Sequence, residues 1–183
     1  MKSTADRIKE YVEFMGDYYN HNSDDLAELG FFTAPASTKY HGAYEGGLFD
    51  HSLEVAKQLV NLTEKLGLEW SRPESPYIVG MFHDLCKCDN YVKIDTLEEL
   101  VPIGIKYKYN PYIIIPGHGE KSVIMYQKLG YLTDEEIACI RWHMGAYETD
   151  TKMWEYYGRA IEEYPNVLYT HTADMIASKI VGV

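Results

Sequence analysis

Six side chains in this sequence are suited to holding metal ions: His51, the adjacent pair His83-Asp84, His118, His143 and Asp174. Successive groups stand 25 to 35 residues apart, about one helix and one loop each. Consecutive helices of a bundle could therefore each deliver one or two ligands to a common centre. Imidazole with carboxylate suits iron, manganese, cobalt, nickel or zinc, and a set without thiolate argues against a closed structural zinc site. Neighbouring residues on a helix point about 100° apart, so His83 and Asp84 reach one ion only if it lies between their directions. A carboxylate has two oxygens and can then span to a second ion, which makes Asp84 the expected bridge. Any one of these histidines taken alone also fits a core or surface position, and spacing by itself leaves both readings open.

The elements that must position these groups read as mostly helical. Residues 3–19 place Ile8, Tyr11, Val12, Met15 and Tyr18 at helical spacing, with Ser3 or Thr4 as cap. A loop over 20–47 ends in the Gly-rich run 40–47. Residues 48–66 recover the helical period through Val55, Leu59, Leu62 and Leu66, and Gly67 stands where a left-handed cap belongs, so His51 lies in the first turns of a helix. Ser75-Pro76 has the form of a cap followed by proline at the first helical position, and the apolar stretch 77–85 carries His83-Asp84 near its far end. Between Cys88 and Pro116 the period breaks down. Ile103, Ile105, Tyr107 and Tyr109 alternate in the manner of a short strand, with 112–115 as the expected partner in a small hairpin. Helical pattern returns over 119–129. Thr133-x-x-Glu136 is a capping box opening a helix that runs into His143, and a last helix after Pro165 carries His171 and Asp174. The fold class is all-α, with at most one small hairpin.

At 183 residues and 46% hydrophobic, residues 1–183 are expected to form a single domain with a sizeable core. No apolar run has the roughly 18 to 20 residues needed to span a bilayer, and the first residues are charged and amphipathic, so a cytoplasmic location is expected with no membrane partner. Three cysteines, Cys86, Cys88 and Cys139, are too few for a disulfide scaffold, and Cys86 and Cys88 read as structural. Seventeen Lys and Arg against 28 Asp and Glu leave a formal charge of −11, which opposes non-specific nucleic-acid binding. A small anionic substrate remains compatible, because a dinuclear site brings about four positive charges of its own. The 17 tyrosines read as amphipathic fillers of half-buried positions rather than base-stacking platforms.

The order H…HD…H…H…D, with His83-Asp84 inside Val79-Gly80-Met81-Phe82-His83-Asp84-Leu85-Cys86-Lys87, resembles the HD-domain superfamily of metal-dependent phosphohydrolases. The run from Tyr40-His41-Gly42-Ala43-Tyr44 through Phe49-Asp50-His51-Ser52-Leu53 looks like the first-ligand region of the branch containing the YhaM-type 3′→5′ exoribonucleases. Ala173-Asp174-Met175-Ile176-Ala177-Ser178 is similar to the family's last-ligand helix. The resemblance covers 40–178 and implies an HD-domain helical bundle. By its pattern His51, His83, Asp84 and Asp174 hold one ion, while His118 and His143 match the positions of a second. Two divalent ions are thus implied, of iron, manganese, nickel or cobalt. A metal-activated hydroxide would attack a phosphate ester or anhydride of a nucleotide or short oligonucleotide.

Asp84 and Lys87 are the catalytic candidates. Lys87 fits the family's H-D-x-x-K pattern and is placed to reach a phosphate oxygen or to steady Asp84. His41, Lys121 and Arg141 are further candidates for substrate contact, and His171 is expected to support Asp174 or fill the core. His21 has no assignable role. The Gly-Tyr-Pro signature of the cyclic-dinucleotide branch is missing after His118 and His143, and about 40 residues precede the motif, which weakens the case for exonuclease-like activity. Two different functions also suit the same residue order: a mixed-valent diiron oxygenase, and a regulatory module without turnover. Exposed tyrosines could favour a homodimer.

Overall fold

The computed structural model describes residues 2–16, 22–94, 104–145 and 151–183. Helices α1 (Thr4–Met15), α2 (Ser23–Glu28), α3 (Gly47–Leu66), α4 (Ser75–Phe82) and α5 (Lys87–Asn90) lead into strands β1 (Tyr91–Lys93) and β2 (Tyr107–Tyr109). Helices α6 (Gly119–Tyr126), α7 (Asp134–Trp142), α8 (Thr151–Glu163) and α9 (Asn166–Met175) follow, and α9 passes without a break into a π-helical turn, Ile176–Val181. The fold is helical with one two-stranded antiparallel sheet. No helix among the described residues is long and apolar enough to cross a membrane.

Local signals set several helix ends. Ser3 Oγ accepts from the Asp6 amide while Asp6 accepts from the Ser3 amide, and Thr133 and Glu136 close the same reciprocal box at α7. α3 ends on Gly67 in the left-handed region, as its glycine requires. α1 stops earlier than the spacing predicts, at Met15 with Gly16 as cap, and Tyr18, Tyr19 and His21 lie outside the described residues.

α4 is buried on nearly every side, through Pro76, Ile78, Val79, Met81 and Phe82, and acts as the central helix. It packs most closely on α3, where a Cβ on Gly80 would overlap the main chain of Ala56. α9 lies across α3 and α7, and α6 packs on α7, where a Cβ on Gly119 would overlap the Arg141 carbonyl. Tyr11, Phe31, Phe32, Phe49, Phe82 and Tyr126 form an aromatic core with ring centroids 5.1–6.5 Å apart. Two ion pairs with one buried member each tie elements together. Arg7 on α1 donates to Asp50 on α3 at 3.2 and 3.0 Å, and Arg72 and Ser75 donate to the fully buried Glu136 of α7 at 2.8 Å.

Three expectations are corrected. The partner of β2 is upstream: Tyr91 pairs with Tyr109, Val92 with Lys108 and Lys93 with Tyr107, whereas 112–115 is irregular. Asn110 is the reason. Its side chain accepts from the Tyr112 amide and donates to the Asp89 carbonyl, and Pro111 offers no amide, so the chain turns away from the sheet after Tyr109. Ile103, the expected first residue of that strand, lies outside the described residues. Three helices add to the expected set: α2, the single turn α5 after His83-Asp84, and α8. Short α2 occupies the expected loop, and α8 buries part of Tyr157, Ala160 and Ile161 against the core. Finally, α6 ends at Tyr126 in a turn rather than continuing to Leu129.

Candidate metal centre

The six metal-binding candidates sit at helix ends that converge. His51 occupies the first turns of α3, His83 is the C-cap of α4, His118 the N-cap of α6 and His143 the C-cap of α7, while Asp174 closes α9. The Gly-rich loop ahead of α3 makes its own contribution. Gly42 and Gly46 have positive φ, and a Cβ on Gly47 would overlap the Gly42 main chain, so the loop folds tightly enough to lay His41 against His51 with ring centroids 5.0 Å apart.

Asp84 is the hub, and its two oxygens face different partners. Oδ2 lies 2.5 Å from Lys87 Nζ, 3.4 Å from His83 Nε2 and 3.6 Å from His51 Nε2. Oδ1 lies 3.0 Å from His118 Nε2 and 3.5 Å from His143 Nε2. Asp174 Oδ1 stands 3.2 Å from His51 Nε2, and the Nε2 atoms of His118 and His143 are 3.1 Å apart. Behind the rings, each Nδ1 has its own neighbour. His83 Nδ1 faces the Gly80 carbonyl at 2.8 Å, His143 Nδ1 the Ile140 carbonyl at 2.7 Å, His51 Nδ1 the Val183 main-chain oxygen at 3.0 Å and His118 Nδ1 the Cys86 sulfur at 3.3 Å. An Nδ1–H donating outward leaves the Nε2 lone pair free on the inner side.

That inner side is what a cation requires. His51 Nε2, His83 Nε2 and Asp84 Oδ1 are buried without a well-directed hydrogen bond, a state that protein interiors ordinarily avoid. Donor atoms within 4.8 Å of one another form three groups able to hold a metal: His51, His83 and Asp84; His83, His143 and Asp174; and Asp84, Cys86 and His118. The residues present therefore fit a metal site. Cys86 joins the third group, although the sequence pattern marks it as structural; its one signal is its place two residues after Asp84.

Charge and burial tune these groups in opposite senses. Burial alone raises the Asp84 carboxyl, but Lys87, His83 and His118 together hold it well below the usual range. Burial lowers His118, yet the Asp84 carboxylate beside it pushes it up to about 10. His143 and His41 fall to about 4, in each case chiefly through burial, so both are neutral at pH 7. Burial raises the Asp174 carboxyl, but the adjacent imidazoles of His51 and His83 outweigh it and hold it below the usual range.

A cavity of about 610 Å³ opens beside the cluster, and Asp84, Lys87, His41 and His118 line it together with Tyr91 and Tyr109 of the hairpin. His171 also reaches it while its Nδ1 bonds the His143 carbonyl at 2.7 Å, so it supports the end of α7 rather than Asp174. Sequence reasoning missed the hairpin tyrosines and Lys179, which stands at the rim. Two candidates for substrate contact do not line the cavity. Lys121 donates to Asp89 and Asn90 at 2.5 and 2.8 Å, and Arg141 lies over the Trp142 ring with Glu120 at 3.3 Å.

A stretch of 66 residues is 36% identical to the dihydroneopterin 2′,3′-cyclic phosphate phosphodiesterase of Methanocaldococcus jannaschii, covering 33% of this chain and 25% of that protein. The chain thus spans about a quarter of the length of the curated relative it matches. No solved structure matches. The sequence profile of the HD domain matches residues 48–176, a span that begins in α3, ends after α9 and contains all six converging residues, and on that match the chain belongs to the HD-domain family.

Proposed function

We propose that this metal-dependent phosphoester hydrolase carries two divalent ions, of iron, manganese, nickel or cobalt, and opens a phosphodiester of a small nucleotide-like molecule. The observation that carries the reading is the division of Asp84: one oxygen faces His51 and His83, the other His118 and His143. A single buried carboxylate so placed suits a bridge between two ions. Asp174 would complete the ion on the His51 and His83 side. Such ions, when bound, supply Lewis acidity toward a phosphoryl oxygen and lower the pKa of a coordinated water.

The chain's own residues do the rest. Lys87 holds Asp84 in its ionised form and fixes its direction. Lys87 and Lys179 are the lysines among the described residues lining the cavity, and in a chain of net charge −11 they mark where an anionic group would rest. The cavity volume falls within the range of small-molecule sites, which favours a mononucleotide-sized substrate over a polymer. The relative's named substrate, dihydroneopterin 2′,3′-cyclic phosphate, makes a cyclic phosphodiester the first compound to try.

The test is elemental analysis of the purified protein together with anaerobic turnover of 2′,3′-cyclic nucleotides, linear dinucleotides and nucleoside monophosphates, with and without added manganese. About two metals per chain, with anaerobic release of a phosphomonoester or phosphate that Asp84→Ala abolishes, is the expected result. Two irons with product only after oxygen is admitted would replace the hydrolase with an oxygenase.

A further inference from the structure

We propose that the main-chain oxygen of Val183 is a positioning group for His51, and that the π-helical turn after α9 serves to bring it there. The inference rests on the reading of His51 as a metal-binding residue and concerns how that ring is aimed.

His83 and His143 solve the aiming problem locally. Each caps the C-terminal end of its helix, and each turns Nδ1 onto the carbonyl three residues before it, Gly80 or Ile140. Carbonyls of a last helical turn have no intrahelical partner, so this bond is at hand wherever a histidine ends a helix. His51 is differently placed. It lies in the first turns of a 20-residue helix, where the carbonyls behind it belong to the helical ladder, and it is fully buried, so solvent does not supply an acceptor. Its Nδ1 partner comes instead from 132 residues away, the Val183 oxygen at 3.0 Å.

The route by which Val183 arrives is specific. Asp174 and Val183 are nine residues apart. On an uninterrupted α-helix they would point about 180° from one another, so a straight continuation of α9 that kept Asp174 on His51 would carry Val183 to the opposite face. The chain instead widens into the turn Ile176–Val181 and then reverses at Gly182, whose φ is 87°. The Gly182 and Val183 amides both donate to the Ala177 carbonyl, at 2.9 and 3.2 Å, which holds the reversal. One helix end thus touches both nitrogens of the same ring. Asp174 Oδ1 stands 3.2 Å from Nε2 and Val183 O stands 3.0 Å from Nδ1. The imidazole is clamped along its length, with Nδ1 as donor and the Nε2 lone pair turned toward Asp84. π-turns interrupting α-helices recur at functional sites, and this one has a definable task.

Gly182 offers a clean perturbation, because a Cβ there meets nothing within 4 Å. The Cβ of Gly182→Val enters open space, and the substitution acts through a backbone conformation that a β-branched residue resists; Gly182→Asn tolerates that conformation and serves as the conservative control. Two readouts are made on the full chain. In the metal-free protein with ¹⁵N-labelled histidine, long-range ring spectra report whether His51 holds a slowly exchanging Nδ1–H. Calorimetric titration with zinc reports the affinity of each ion. Wild type and Gly182→Asn are expected to keep the Nδ1–H and the affinity. Gly182→Val is expected to lose the protected proton and to weaken one ion about 10- to 100-fold, the effect typical of losing an outer hydrogen bond to a metal-bound histidine, while the ion on His118 and His143 is unchanged. Should Gly182→Val fail to fold, deletion of Val183 alone removes the same acceptor and is read in the same way. The proposal is overturned if His51 keeps its Nδ1–H and zinc affinity without the Val183 oxygen, or if Gly182→Asn falls as far as Gly182→Val. A wild-type protein that binds no zinc would defeat the metal reading of the site, and the His51 spectrum would still decide this inference.

Discussion

Asp84 and Lys87 form a buried pair whose removal in two steps separates stability from chemistry. Lys87 is 8% exposed and its Nζ lies 2.5 Å from Asp84 Oδ2, so Asp84→Asn leaves a cation in the interior without its counter-ion. Breaking a buried pair by removing one partner costs about 3–5 kcal/mol, whereas replacing both members by neutral groups of similar volume is often neutral or better. The metal-free Asp84→Asn protein is therefore expected to melt roughly 10 °C lower, at about 2–4 °C per kcal/mol for a chain of this size. Asp84→Asn with Lys87→Met should recover most of that loss. Neither variant should regain metal, because Asp84 faces both groups of histidines. The assay is urea unfolding in the presence of a chelator, paired with elemental analysis after metal loading. If the double variant is as unstable as Asp84→Asn, Lys87 is not held by Asp84 and the reasoning fails.

Further outcomes follow from the same geometry. His118 is raised in the folded chain to about 10 from an ordinary value near 6.5, so the stability its protonated form contributes is complete below about pH 6.5 and disappears as pH rises through about 10. Metal-free protein should thus unfold more readily at pH 10 than at pH 7, and His118→Ala should shrink that difference in denaturant titrations. Glu136→Ala removes the acceptor of Arg72, Ser75 and the Thr133 amide and should cost about 1–3 kcal/mol in urea unfolding, since Arg72 is solvated enough to lose its partner without being stranded. Tyr109 is 69% exposed at the cavity and packs on Tyr91 at 5.3 Å. Tyr109→Ala should raise KM for a cyclic nucleotide by about 5- to 100-fold, as loss of a stacking ring does, with little effect on a ring-free cyclic phosphate such as glycerol 1,2-cyclic phosphate. Equal losses on both substrates would assign Tyr109 to the hairpin's structure alone.

Much of the framework around the site is written in local sequence. Ser3, Gly67 and Thr133-x-x-Glu136 mark helix ends because caps depend on neighbouring residues only, whereas Ser75, the expected cap of α4, lies inside that helix after Glu74 and turns its hydroxyl onto Glu136. The apolar period of 48–66 defines α3, and the adjacency of His83 and Asp84 singles out the hub. α8 shows that an omission is not always an absence of signal, since Met153, Tyr157, Ala160 and Ile161 repeat at helical spacing. The hairpin differs in kind. Alternation at Tyr107 and Tyr109 marks a strand, but choosing Tyr91–Lys93 as its partner required the turn at Asn110-Pro111 and the position of α5.

By itself, then, the sequence determined most of the longer helices and which six side chains have the chemistry to hold metal, because periodicity, capping and residue type act within a few residues. Only the tertiary structure decided how those groups are used. It set which oxygen of Asp84 meets which histidines, turned Lys121 onto Asp89 and Asn90, brought the Cys86 sulfur to His118, and carried Val183 back to His51. Each of these depends on the direction of a side chain or the path of a helix end, and such directions are set by packing between segments far apart in the chain.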